Sequence, residues 1–460
     1  MAVNLVDDAA GGIPLNLIRA DDWQAWISNR PETERAWAAA NGFEAKPGSV
    51  CLVPDGNGGI AAALAGLDDP IWTGGGLAEK LPAGTFILAD VWDESAATDI
   101  ATGFALGGYK FDRYKKVDPS KARLAWPMSA NRGLSVATAE GICLARDLIN
   151  TPASDLGPQE LCAAARALGE RFGADISELA GDQLLEQNFP TIHMVGRAAT
   201  REPRLIDLRW GAPDAPKVTL VGKGVCFDSG GLDLKPASGM LRMKKDMGGA
   251  ASVLALAHMI MATGLPVRLR VLIPAVENAV SGNAMRPLDI VKTRKGLTVE
   301  VGNTDAEGRL ILCDALAEAD TESPEILLDC ATLTGAARVA LGTDLPALFC
   351  NDDGLAADII GAGEQTGDQM WRLPRPQPYK KLLKSDAADL NNVSEGGFGG
   401  AITAALYLEH FVSATTPWAH LDMMAWTAAS LDDQKVERPK RCGRCLQCCG
   451  DAMLEVLAEL

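Results

Sequence analysis

Residues 303–310 read NTDAEGRL. The carboxylates Asp305 and Glu307 and the guanidinium Arg309 stand at alternate positions. Residues 297–301, LTVEV, form a short strand-like run just before the octet. Leu310, Cys313 and Leu316 recur at helical spacing just after it. The octet is therefore expected where a strand ends and a helix begins. In α/β sheets ligands bind at such ends, and a helix N-terminus favours negative charge. An aspartate cap followed by a first-turn glutamate has the same look, and many helices carry one.

The stretch at 217–249, KVTLVGKGVCFDSGGLDLKPASGMLRMKKDMGG, carries a second set of charges. An apolar strand at 218–221 runs into Gly222, Lys223 and Gly224, and residues 225–227 run into Asp228. Flanking glycines let backbone come close to something. Lys223, between two glycines beside a buried strand, is oddly placed for a solvated lysine. Lys235 lies in a loop before Pro236, and Asp246 precedes a long apolar helix to about residue 263. Asp228, Asp246, Asp305 and Glu307 are too many carboxylates to bury unpaired. Their charge would balance two divalent cations, and a two-metal site clamps both sides of a displacement. A lysine ligates a metal only as the neutral amine, which burial and an adjacent cation favour. Salt bridges around glycine turns remain the alternative reading.

These stretches resemble the leucyl aminopeptidase family, the M17 metallopeptidases. The resemblance rests on NTDAEGRL, on VGKG at 221–224, FDSGG at 227–231, LKP at 234–236 and KKDMGGA at 244–250. It implies that Lys223 and Asp246 ligate a tighter metal and Asp305 a looser one, with Asp228 and Glu307 touching both. It implies Lys235 as the group that steadies the oxyanion, and Arg309 as the holder of a bicarbonate that acts as general base for a bridging water. It also implies that Thr332, Leu333 and Gly335, with Lys235, line the substrate pocket. Zn²⁺, Mn²⁺ or Mg²⁺ suits such ligands. The expected activity is removal of leucine or another neutral N-terminal residue from short peptides. The family's homohexamer is expected with it.

The rest of the chain bounds that reading. Length 460 suggests two or three domains, and 47% hydrophobic with 22% charged residues describes a globular protein. The fold expected is α/β: a small N-terminal α/β domain over 1–140, a linker helix region at 141–155, and a larger catalytic domain over 156–460 with a mostly parallel sheet covered by helices. A Trp-bearing helix (Trp23, Trp26, Trp37) and strands at 50–53 and 85–88 are expected in the first domain, and 103–111, GFALGGYKF, resembles a turn motif of the family's N-terminal domain. Strands are expected at 267–273 and 326–330, a loop over 386–400, and a buried strand at 418–422, WAHLD.

A net charge of −17 argues against nucleic acid, which a regulatory DNA-binding reading would require. No HExxH helix occurs, and His193, His258, His410 and His420 have no ligand spacing. No GxSxG elbow or phosphate loop is present. Scattered cysteines in apolar runs suggest a reducing, cytoplasmic setting, and no membrane span or signal pattern is expected. Cys442, Cys445, Cys448 and Cys449, beside Lys440, Arg441 and Arg444, depart from the family pattern.

Overall fold

The computed structural model describes residues 4–426. The cysteine-rich stretch at 438–450 lies outside the described residues. Two compact units part between Cys143 and Leu144, within the helix Arg132–Asn150.

The first unit holds a six-stranded sheet. Its order is Leu5–Val6, Ala122–Ala125, Gly84–Leu88, Ile13–Arg19, Ile60–Leu67 and Val50–Pro54. All neighbours are parallel except the last pair, a hairpin. Asp55 closes that hairpin by accepting from the amides of Asn57 (2.7 Å) and Gly59 (2.8 Å). The expected Trp-bearing helix is two helices, Trp23–Ser28 and Glu32–Ala40, parted by Asn29, Arg30 and Pro31. Proline is tolerated only at a helix start, so the chain breaks there. The motif at 103–111 is no turn: residues 103–107 finish the helix Glu94–Gly107. A Cβ at Gly103 would sit 2.0 Å from the Ile71 carbonyl oxygen. The glycine lets this helix touch the backbone of the helix Pro70–Lys80.

The second unit is built on a nine-stranded mixed sheet. From one edge the order is Trp371–Arg372, Ala347–Cys350, Trp418–Asp422, Ile326–Ala331, Lys217–Gly222, Arg268–Asn278, Arg204–Trp210 and Asp175–Ala180. The short strand Gly224–Asp228 pairs with the far half of Arg268–Asn278. The central pairs are parallel, and antiparallel pairs flank them. Val221, Leu327 and Ala331 join one apolar cluster with Leu310–Leu312 and Leu316 of the helix Glu307–Asp320. The alternate residues Leu220, Leu328 and Cys330 are fully buried too, so layers cover both faces.

The helix Gly248–Thr263 packs on the central strands. Its composition would suit a membrane span, yet Gly248 to Met261 are all buried inside the protein. The strand expected at 267–273 runs on to Asn278. Pro274 does not end it, because pairing passes from Lys217–Gly222 to Gly224–Asp228 at that point. On that side a missing N–H interrupts no ladder.

Candidate metal centre

Three sheet ends and two helix starts meet at Lys223. Its backbone amide donates to the Cys330 carbonyl (3.0 Å), and its own carbonyl accepts from the Ala250 amide (2.9 Å). A Cβ at Gly249 would lie 2.0 Å from the Cys330 oxygen, and one at Gly308 2.6 Å from Lys223 Cε. Small residues therefore let both helices close on this lysine. Its Nζ lies 2.8 Å from Asp246, 2.9 Å from Glu307 and 3.0 Å from the Thr332 carbonyl. The side chain is 3% exposed.

The second lysine does the same one step further out. Lys235 Nζ lies 2.7 Å from Asp228 and in closer contact with Asp305. Asp228 ends its strand with Oδ1 accepting from the Gly230 amide (2.8 Å) and from Asn278 Nδ2 (2.9 Å). Gly230 has φ +89, and a Cβ there would strike the Asp233 carbonyl at 2.5 Å, so the turn requires glycine. One oxygen each from Asp228, Asp305 and Glu307 lie within 4.8 Å of one another. Asp246 comes from the turn Met243–Met247, and Glu307 opens its helix as expected from the octet.

Thr304 stitches the octet to the loop that carries Lys235. Its hydroxyl donates to the Gly230 carbonyl (2.6 Å) and accepts from the Asp233 amide (2.8 Å). Thr332 Oγ1 donates to Asp246 Oδ1 (2.7 Å). Leu333 and Thr334 amides donate to Asp422 Oδ1 (3.0 and 3.1 Å), and the Thr334 hydroxyl to Asp422 Oδ2 (2.6 Å). Gly335 begins the helix Gly335–Leu341, where a Cβ would stand 3.8 Å from Arg338 Nη2. Arg309, one turn into its helix, donates through Nη1 to the Asn392 carbonyl (2.7 Å). Its Nε is buried without an acceptor.

The electrostatics ask for cations. Burial, then the Asp228 charge, pushes Glu307 up to about 8 against the pull of Lys223. The same two causes push Asp305 up to about 6. Burial opposes charge on Lys223, but Asp246, Glu307 and Asp228 outweigh it and hold the ammonium above its ordinary range. Burial likewise opposes charge on Lys235, and Asp228 outweighs it. Asp246 Oδ2, Asp305 Oδ1 and Glu307 Oε1 are buried and receive no well-directed hydrogen bond; lysine ammoniums are their close cations. The four carboxylates crowd one buried space with the Lys223 and Lys235 ammoniums, and Lys245 Nζ stands 3.9 Å from Asp246. That donor set of hard oxygens plus one amine fits divalent metal ions.

A pH prediction follows from Glu307 and Asp305. Both are raised in the folded chain, so the stability their protonated forms contribute is complete below the ordinary carboxyl range. It is lost as pH rises through about 6 and about 8. Thermal scans of chelated protein should show the melting temperature falling over that window. Added Mn²⁺ should raise it more at the alkaline end, where ions displace fewer protons. A melting temperature flat across the window with chelator would contradict these environments.

The structure brings Lys223, Asp228, Lys235, Asp246, Asp305 and Glu307 into one cluster, with Arg309 beside it. Thr332 touches it directly, and Leu333 and Gly335 lie in the adjoining loop. No histidine joins it: His420 is buried with Nδ1 2.6 Å from Asp329, and His193 lies 3.3 Å from Asp182. Sequence reasoning missed Asn278, Asp422 and Asn392. Asn278 and Asp422 fall at the ends of strand-like runs, the one signal available for them, whereas Asn392 lies in a stretch that reads as a loop.

A model described as the cytosol aminopeptidase family, catalytic domain, matches residues 143–447, and one described as the M17 aminopeptidase N-terminal domain matches 13–127. A probable cytosol aminopeptidase of Roseiflexus castenholzii is 44% identical over 369 residues, covering 77% of this chain and 75% of that protein. One of Sinorhizobium fredii is 41% identical over 400 residues, covering 82% and 80%. Among solved structures, the cytosol aminopeptidase from Coxiella burnetii superposes with a TM-score of 0.93 at 46% identity, covering 99% of each chain. The bottromycin maturation enzyme BotP in complex with Mn gives 0.87 at 33% identity, covering 97% of this chain and 99% of that one.

Proposed function

This chain belongs to the cytosol aminopeptidase (M17) family, metal-dependent peptidases that act on peptide N-termini, and from that premise we propose the following residue-level reading. The enzyme removes leucine or another neutral first residue from short peptides with two divalent ions. Lys223, Asp228, Asp246, Asp305 and Glu307 hold the ions. The observation that carries this is the buried cluster of four carboxylates around two lysines. BotP's complex with Mn favours Mn²⁺, with Zn²⁺ or Mg²⁺ as the other candidates. Bound ions would polarise the scissile carbonyl and make a water nucleophilic at neutral pH.

The chain's own groups do the rest. Lys235, 14% exposed and held as an ammonium, donates to the carbonyl oxygen as its negative charge builds. The Arg309 guanidinium, with its Nε lacking an acceptor, would hold a bicarbonate, which would supply a general base beside the water. Thr332, Leu333 and Gly335 present backbone groups to the substrate beside Lys223. A free α-amine would be selected because its nitrogen lone pair can ligate a bound ion, which an acylated nitrogen's cannot.

We read residues 1–140 as the assembly domain of a homohexamer, 141–155 as linker and 156–460 as catalytic. Relatives named as cytosol aminopeptidases, together with the free thiols Cys51, Cys162, Cys226, Cys313 and Cys350, favour a cytoplasmic setting.

Hydrolysis of leucine p-nitroanilide tests the reading. Activity should vanish with chelator and return with Mn²⁺ or Zn²⁺, and the N-acetylated substrate should stay intact. Cleavage of the acetylated substrate at a comparable rate would contradict it.

A further inference from the structure

Asn392 lies in a stretch whose sequence reads as a loop, yet it is fully buried. The two-residue strand Leu390–Asn391 pairs in parallel with Thr298–Glu300, so Asn392 arrives at the mouth of the octet. Its side-chain oxygen accepts from the amides of Gly302 (2.7 Å) and Asn303 (3.2 Å). Its side-chain nitrogen donates to the carbonyls of Asn303 (2.8 Å) and Ala306 (3.3 Å). Its backbone amide donates to Glu300 (3.0 Å), and its carbonyl accepts from Arg309. Every one of these bonds reaches residues 300–309. A Cβ at Gly302 would lie 2.3 Å from Asn391 Oδ1, so that glycine is what lets the two segments close.

We infer that Asn392 is the positioning residue that fixes the loop carrying Asp305 and Glu307, and the guanidinium of Arg309, in mutual register. The inference rests on the metal reading above. Asn303, clamped on both its amide and its carbonyl, in turn accepts from the Asp305 amide (2.7 Å). Ala306 is the residue before Glu307, where the helix starts. One amide thus holds the backbone on both sides of Asp305 and just ahead of Glu307. Only a carboxamide of this length supplies two acceptor and two donor bonds here. An aspartate keeps the acceptors but turns an oxygen toward two carbonyls. A serine loses half the set. Groups that orient metal ligands typically set metal affinity by about 10–100-fold.

The test uses the full chain with Asn392→Ser and the isosteric Asn392→Asp. The control is Asn351→Ser, which removes a comparable double clamp (Thr416 carbonyl 2.8 Å, Trp418 amide 2.7 Å) at the other end of the strand Trp418–Asp422. Hydrogen exchange of the chelated protein reads residues 300–308 without any metal. Calorimetric titration with Mn²⁺ reads the site itself. Asn392→Ser should exchange faster at Gly302 and Asn303, and in both Asn392 variants at least one Mn²⁺ step should weaken by about 10–100-fold. Asn351→Ser should lower the melting temperature with Mn²⁺ affinity unchanged.

Unchanged Mn²⁺ affinity in Asn392→Asp, beside tight wild-type binding, would overturn the inference alone. So would an equal loss of affinity in Asn351→Ser, since that would be general destabilisation. A wild-type chain that takes up no Mn²⁺ would overturn the metal reading, and this inference with it.

Discussion

Asp305→Asn is expected to lower kcat/KM for leucine p-nitroanilide by about 10³-fold or more and to reduce bound Mn²⁺ from two ions toward one. The carboxylate reaches the centre from a loop held rigidly on both sides. Asn303 accepts its amide (2.7 Å), and Lys235 contacts its carboxylate. Asparagine preserves that shape and removes the charge. Metal-ion stabilisation of transition-state charge contributes several kcal/mol, and about 1.4 kcal/mol is a factor of ten. Loss of one ion therefore costs about 10³-fold. Steady-state kinetics with metal analysis by mass spectrometry would check both parts. Equal activity with two ions bound would show that Asp305 is not a ligand. Asp305 is raised by burial and by Asp228, so removing its charge relieves repulsion. The variant should fold at least as well as the wild type, which separates a chemical defect from a structural one.

Lys235→Gln should lower kcat by about 10²–10³-fold with KM moving little, the usual cost of removing a donor aimed at developing negative charge. Lys235 differs from Lys223 in one physical respect that motivates this. Its side chain is 14% exposed against 3%, and it lies between Asp228 and Asp305 on the open side. Lys223 is enclosed by Asp246, Glu307 and the Thr332 carbonyl, a setting for a ligand atom. Lys235 has room to meet a substrate oxygen. A kcat loss with both metal-binding steps intact would support the oxyanion role. A variant that loses metal instead would mean that Lys235 serves the ion site.

The site was unusually legible in the sequence. Alternate charges at Asp305, Glu307 and Arg309 stand just where a strand gives way to a helix, and glycines flank Lys223 because the helix Gly248–Thr263 closes on Gly222 and the strand Arg268–Asn278 on Gly224. Backbone crowding leaves a trace in composition. What stayed hidden depends on partners distant in the chain. Residues 386–400 read as a loop because two strand residues cannot produce a period, yet Asn392 is one of the most thoroughly bonded side chains near the site. Asp422 reads only as the end of a buried strand, although its carboxylate holds the loop from Leu333 to Thr334. Gly103 looked like part of a turn because nothing local says that the backbone at Ile71 approaches it. Pro274 looked like a strand end because the handover between two pairing partners is invisible along one chain.

The most direct measurement is anomalous scattering from a crystal of the full chain soaked in MnCl₂. The account predicts two adjacent Mn²⁺ peaks among Asp228, Asp246, Asp305 and Glu307, one of them against Lys223 Nζ. No peak there, or a single ion held away from Lys223, would contradict it.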